Sequence, residues 1–251
     1  MNILCVIPVR GGSKGVPRKN VRSVAGRPLV VWTIEQALAA RPGMDVLVST
    51  DDEEIADVAR AAGADVPFLR PPHLAQDETP TEPVIRHAVD VRTAQGRRPD
   101  AVMLLQATSP VRQPGTLDRA IEQFTASGVD SMVGVVPVAP FLWELTDPPR
   151  AAYPVDARPR RQDMGPTDKR YRETGSLYIT RTEIYERQNN RLGGDIGLFV
   201  MAEEEGVDID TLQDLELAER YLERQARQRG AHDNITERDE PLRASGENGA
   251  A

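Results

Sequence analysis

Short apolar runs alternate along the chain with segments whose apolar positions repeat at helical spacing. Residues 2–9 (NILCVIPV) form the first run and 45–50 (DVLVST) the second; 101–105 is apolar throughout, as strands buried on both faces are. Ile55, Val58, Ala59 and Ala62 share one face of a helix predicted over 52–62, with acidic residues in its first turn and Gly63 as its stop. Val84, Ile85, Ala88 and Val89 do the same over 81–95. Pro28 opens a helix over 29–40, 116–127 is again helical, and 64–69 and 130–138 read as further strands. Strand then helix at this length predicts an α/β fold, a Rossmann-like, mostly parallel sheet with helices on both faces. Ligands of such sheets lie beyond the C-terminal ends of the strands. Chemistry is therefore expected in the loops at 10–26, 49–52, 70–80 and 106–114.

The alternation breaks over 139–174, where prolines and arginines recur. Phe141, Trp143, Tyr153 and Tyr171 stand among them, and aromatic anchors fit an ordered lid or subunit-contact arm better than a disordered insertion. Regular structure is expected again at 176–180, 182–188 and 196–201, and a charged helix over 214–229. The chain thus reads as one domain over 1–229, followed by a disordered tail at 230–251 that is nearly free of apolar residues.

Composition narrows the functions. With 251 residues, 39% hydrophobic and 28% charged, the chain can build a substantial core. A net charge of −8 argues against a nucleic-acid coat or a polybasic membrane anchor. Cys5 is the only cysteine and falls in the apolar first strand, so an intrachain disulfide is impossible and inert core is its expected role. No apolar run is long enough to span a bilayer and no secretory leader is visible, which sets a cytoplasmic expectation.

The first strand runs directly into Arg10-Gly11-Gly12-Ser13-Lys14-Gly15-Val16-Pro17-Arg18-Lys19-Asn20. Glycines let backbone approach a ligand, and four cations beside them suit a polyphosphate. The spacing is neither a Walker A loop nor a Gly-x-Gly-x-x-Gly dinucleotide fingerprint. Alone, such a stretch is more often a solvated surface loop; its place after an N-terminal strand favours phosphate. Gln106, Thr108 and Ser109 end a buried strand in polar groups, with Arg112 available to an anion; a plain strand cap is the alternative. Asp208 and Asp210 stand at i and i+2, on one side of an extended segment. They suit Mg²⁺ on a nucleotide phosphate, and a helix N-cap at Asp210 or Thr211, before Leu212, fits equally well.

Together, Ile7–Asn20, Leu105-Gln106-Ala107-Thr108-Ser109-Pro110-Val111-Arg112 and Asp208-Ile209-Asp210 resemble the acylneuraminate cytidylyltransferases, in order and separation, over roughly 2–222. Ser49-Thr50-Asp51 and Leu69-Arg70-Pro71 resemble further family segments. The related Kdo-activating enzymes lack this Gly-Gly-Ser-Lys-Gly loop. The resemblance implies a nucleotide-diphospho-sugar transferase type of fold, with CTP and a 3-deoxy-2-ulosonic acid giving a CMP-sugar and pyrophosphate with Mg²⁺. It implies triphosphate binding by Arg10, Gly11, Gly12, Ser13, Lys14, Lys19 and Asn20, with Lys19 near the reacting phosphate. Arg70, Thr79 and Thr81 match the cytosine-reading segment. Gln106, Thr108 and Ser109 match positions facing sugar and ribose; Arg161 matches an arginine on the sugar carboxylate, and Tyr178 a sugar-pocket tyrosine. Asp208 and Asp210 match the metal ligands. Arg10, Lys19, Gln106 and Asp210 are thereby the expected catalytic set, and the 139–174 arm implies a homodimer.

Three departures concern the sugar: Thr174-Gly175-Ser176 replaces an Asn-Gly-Ala segment, Phe141-Leu142-Trp143-Glu144 lacks a lysine, and Asn190-Arg191-Leu192 replaces an aromatic pair. CTP is therefore a firmer expectation than sialic acid, and legionaminic or pseudaminic acid fits as well. Two other readings compete: a sugar-1-phosphate nucleotidyltransferase, and a silent nucleotide-binding protein with no use for paired metal carboxylates.

Overall fold

A computed structural model describes residues 1–236 apart from Lys14, Pro159, Pro166 and Thr167, and only the backbone of Arg161 and of 229–236. Its centre is a six-stranded sheet built from β1 (Ile3–Pro8), β4 (Asp45–Ser49), β5 (Ala101–Leu104), β6 (Ser131–Val138), β9 (Arg170–Arg181) and β10 (Ile196–Val200), in the order β10-β6-β9-β5-β1-β4. β1 pairs in parallel with β4 and β5, and β10 with β6; β9 runs antiparallel between β5 and β6. Two short hairpins complete the strands, β2 (Ser23–Val24) with β3 (Arg27–Pro28), and β7 (Trp143–Glu144) with β8 (Arg150–Ala151).

Residue alternation on β1 shows why its run is unbroken. Ile3, Cys5 and Ile7 pack against α1 (Leu29–Ala39), α2 (Glu53–Ala61) and α4 (Thr116–Ser127). Leu4 and Val6 pack the other way, against α3 (Thr81–Ala94) and Tyr185 of α5 (Thr182–Gln188). Both faces are covered, as a parallel sheet requires. The closing helix, α6 (Leu212–Thr236), lays Leu215, Ala218 and Leu222 against Leu29 and Trp32 of α1. Cys5 is fully buried and desolvation pushes its thiol up to about 12, which keeps it protonated.

Several expectations are corrected. Residues 64–69 make no strand; only the single bridges Leu47–Asp65 and Thr50–Leu69 form there. β9 begins at Arg170, so the last five residues of the expected arm belong to the central sheet. The closing helix starts two residues earlier than expected and continues to Thr236, past the expected boundary at 229. The remainder of the expected tail, 237–251, lies outside the described residues.

Candidate active site

The loops after β1 and β5 meet the 70–80 and 207–211 segments around a cleft of about 410 Å³, and the expected 49–52 loop is not in its described lining. Arg10, Gly12, Ser13, Lys19 and Asn20 line it from the first loop. Arg70, Thr79 and Thr81 line it from the second side, Gln106 and Thr108 from the end of β5, and Asp208 and Asp210 from the approach to α6. Topology explains the convergence: β1 lies between β5 and β4, so their C-terminal loops are neighbours.

The Asp208–Asp210 segment is clamped at its middle. Ile209 is fully buried; its N–H donates to the Thr108 carbonyl at 2.8 Å, and its carbonyl accepts from Lys19 Nζ. Pinning Ile209 into the core sends the two flanking carboxylates to the cleft side. Lys19 Nζ lies 3.7 Å from Asp210 Oδ1, and Ser109 Oγ 3.4 Å from Asp208 Oδ1. Gly15 makes the clamp possible, since a Cβ there would stand 2.1 Å from the Asp210 carbonyl oxygen.

The two open roles of Asp210 separate in this geometry. Thr211 is the residue before α6, and its hydroxyl accepts from the Asp214 N–H at 3.2 Å. Asp214 Oδ2 accepts in return from the Thr211 N–H at 2.8 Å, the Thr211 hydroxyl at 2.8 Å and the Asp210 N–H at 3.2 Å. This reciprocal box satisfies the helix start, and the Thr211 bonds pull the Asp214 carboxyl below its ordinary value. The Asp210 side chain is left 79% exposed and free of capping duty.

Other residues divide between cleft and scaffold. Arg10 Nη1 meets Asp77 Oδ1 at 2.5 Å, and its carbonyl accepts from Asn20 Nδ2 at 3.1 Å. Arg70 borders the cleft but is buried, with Nε on Ser49 Oγ at 3.1 Å and Nη2 on the Val9 and Ser49 carbonyls. Desolvation pulls it down to about 10, so it remains a cation that ties the ends of β1 and β4 together. Gly11 faces away, its N–H on Asp51 Oδ1 at 3.1 Å. Ser109 is buried behind the cleft wall. Tyr178 is outside the lining: its hydroxyl donates to Glu173 Oε1 at 2.6 Å and its ring lies 5.3 Å from the Arg191 guanidinium. Burial and Glu173 push its phenol up, so it stays neutral. Lys14 and the Arg161 side chain lie outside the described residues.

Sequence reasoning did not anticipate Asp77 opposite Arg10. It also missed the role of Ile209, whose only signal was its place between two acids. The described lining carries Arg10, Lys19 and Arg70 against Asp77, Asp208 and Asp210. The cations and the two Asp208–Asp210 carboxylates lie close enough to engage one anionic polyphosphate and one hard cation.

A mostly parallel sheet with such a cleft beyond its strand ends is an arrangement suited to binding a nucleotide. Solved structures agree on the fold. CMP:2-keto-3-deoxy-manno-octonic acid synthetase complexed with CTP matches with a TM-score of 0.65 at 19% identity, over 90% of this chain and 100% of that one. A 4-diphosphocytidyl-2C-methyl-D-erythritol synthase matches with a TM-score of 0.63 at 13% identity, over 88% and 98%. The family model described as Cytidylyltransferase matches residues 4–232, and the chain belongs to that family. It is 36% identical over 229 residues to the CMP-N,N'-diacetyllegionaminic acid synthase of Legionella pneumophila, covering 89% of this chain and 97% of the relative. It is 31% identical over 233 residues to the pseudaminic acid cytidylyltransferase of Campylobacter jejuni (87% and 95%). It is 37% identical over 228 residues to N-acylneuraminate cytidylyltransferase A of Danio rerio, covering 88% of this chain and about half of that relative, 51%.

Proposed function

We propose that this chain transfers CMP from CTP to the anomeric hydroxyl of a 3-deoxy-2-ulosonic acid of the nonulosonic type, releasing pyrophosphate. The observation that carries the reading is the clamp at Ile209. It brings the paired acids Asp208 and Asp210 against the cationic first loop in one cleft. The acceptor oxygen forms a bond to the α-phosphorus while the bond from that phosphorus to the α–β bridging oxygen of CTP breaks; pyrophosphate leaves with that oxygen, and the hydroxyl proton passes to solvent. Both substrates are anions, so positioned positive charge is the main requirement. Arg10 and Lys19 supply it along the triphosphate, with Lys14 expected beside them. Arg10 exchanges Asp77 for phosphate oxygens on binding. Gln106 and Thr108 orient sugar and ribose, and Arg70 holds the strand ends under the base. Arg161 would meet the acceptor carboxylate, and Tyr178, outside the described lining, would reach the acceptor only by giving up its bond to Glu173.

Asp208 and Asp210 offer hard oxygen donors, one of them highly exposed, and no third acidic, histidine or cysteine ligand gathers with them among the described residues. That donor set fits Mg²⁺, which takes one or two carboxylates and completes its shell with phosphate and water. When bound it would neutralise charge on the phosphates.

The reading extends to assembly and place. The β7–β8 hairpin exposes Leu142, Trp143 and Leu145, which supports a homodimer formed through the arm. No helix of the described residues is long and apolar enough to cross a membrane; a cytoplasmic site of action goes with the proposed use of CTP.

Acceptor profiling with CTP held constant tests the proposal. Pyrophosphate release is expected with sialic, legionaminic or pseudaminic acid and not with neutral sugar 1-phosphates. Turnover of a sugar 1-phosphate alone would replace this reading with that of a sugar-1-phosphate nucleotidyltransferase.

A further inference from the structure

Arg112 is almost fully buried, and its guanidinium meets only neutral acceptors. Nη1 donates to Thr33 Oγ1 at 3.2 Å and Gln36 Oε1 at 2.9 Å, both on α1. Nη2 donates to the Gln106 carbonyl at 3.2 Å and the Ser176 carbonyl at 2.6 Å. No carboxylate lies within ion-pair distance among the described residues; buried Glu205 acts on the guanidinium only from further off, and Nε has no partner. Burying a cation without a counter-ion opposes folding, and an apolar side chain would fill the space without that cost. Its two Nη2 bonds reach backbone carbonyls beside the cleft.

Those bonds join β5 to β9 where the sheet departs from regular pairing. The β6–β9 register shifts between Val133, opposite Tyr178, and Val135, opposite Glu173. Four residues of β9, 174–177, therefore face one residue of β6. The Ser176 carbonyl leaves the ladder at this bulge and turns to Arg112. Beside it, Gln106 lies across Gly175 so closely that a Cβ there would stand 1.8 Å from Gln106 Oε1. Gln106 borders the cleft. One guanidinium thus fixes the backbone of Gln106 and of the strand over which its amide rests.

We infer that Arg112 is a positioning residue for the acceptor, holding the Gln106 amide against the bared backbone of Gly175 by clamping the carbonyls of Gln106 and Ser176. The inference rests on the proposed reaction for the choice of ligand. Lysine keeps the charge but cannot reproduce a planar fork spanning four acceptors.

Arg112→Lys should lower kcat/KM for the ulosonic acid by about 10–100-fold, the range in which a small displacement of an orienting group acts. The Kd for CTP should stay within about twofold in that variant, because its phosphate loop is untouched. In a Gln106→Ala background the same change should cost less than about threefold more, since the two groups act as one. Gln36→Leu removes an Nη1 acceptor from α1, outside the cleft, and should give a weaker effect of the same kind, readable even where Arg112 variants fail to fold. Additive losses, or CTP affinity falling in step with acceptor efficiency, would overturn the inference. An inert wild-type protein would refute the reaction instead. Hydrogen exchange then still decides the clamp: Arg112→Lys should speed exchange at 106–109 and 174–177 alone, and unchanged rates there would sink it.

Discussion

At the scale of single residues, Asp210 is the clearest case of a side chain with nothing to do in the fold. Thr211 and Asp214 close the helix start, and Asp210 is left exposed beside Lys19. Asp210→Asn should therefore reduce turnover by about a hundredfold or more, as loss of a charge-stabilising group does, with a melting temperature within a few degrees of wild type. Near-normal activity at ordinary Mg²⁺ would remove Asp210 from the metal site. Lys19 and Arg18 form a matched pair of tests. Lys19 faces the cleft and holds Ile209, whereas Arg18 pairs with Glu54 on the outer surface. Lys19→Ala should cost about a hundredfold or more in kcat; Arg18→Ala should cost only a few-fold, because an exposed pair contributes little. Equal losses would mean that the loop presents its other side to the nucleotide. Residue types near the cleft were legible because phosphate, carboxylate and metal each demand a particular chemistry. Which neighbour each residue keeps in the folded chain was not. Arg70 reads as a ligand and is committed to the ends of β1 and β4; Gly15 reads as loop flexibility and is needed for close approach to Asp210.

At the scale of elements, the amino end of α6 connects stability to the site. The Thr211–Asp214 box orders the turn that carries Asp210. Thr211→Ala should destabilise by about 1 kcal/mol, the usual worth of an N-cap, and should raise the Mg²⁺ concentration needed for half-maximal activity. An unchanged Mg²⁺ requirement would show that the cap and the carboxylates are independent. The same box has a pH signature. Its Asp214 carboxyl is held below the ordinary 3.8, so its stabilisation is present above that pH and is lost as pH falls through the lower folded value. Thermal melts at pH 7 and pH 3 should then show a smaller acid loss for Asp214→Asn than for wild type; an equal loss would contradict this. Elements with strong periodicity and clear stops were legible: 116–127 and 182–188 are helices over those residues. β9 was only partly legible. Its first residues lie in a Pro- and Arg-rich stretch, and its antiparallel direction is set by the route of the chain rather than by local pattern. Residues 64–69 read as a strand because most of them are apolar, but they lie at the open side of edge strand β4 and gain just two bridges.

At the scale of the whole molecule, two clusters of exposed apolar side chains among the described residues bear on assembly, and the proposed dimer distinguishes between them. One is the arm, where Leu145 is 99% exposed beside Leu142 and Trp143 on the β7–β8 hairpin. The hairpin is braced by Phe141, Trp143 and Tyr153, with the Arg158 guanidinium 4.2 Å from the Phe141 ring, so it presents a shaped surface. The other is edge strand β10, with Ile196, Leu198 and Val200 exposed on one face. Burying a large apolar side chain in a contact is worth roughly 1.5–3 kcal/mol, so two polar substitutions should weaken the interface by about a hundredfold or more. Sedimentation equilibrium should find a dimer for wild type, a monomer for Leu145→Glu with Trp143→Ser, and a dimer for Leu198→Lys. The arm monomer should also lose acceptor efficiency more than CTP affinity, because Arg161 lies in the same segment while the described residues proposed to face CTP lie outside it. A monomeric wild type would reject the dimer. Dissociation by Leu198→Lys with the arm variant intact would move the interface to β10.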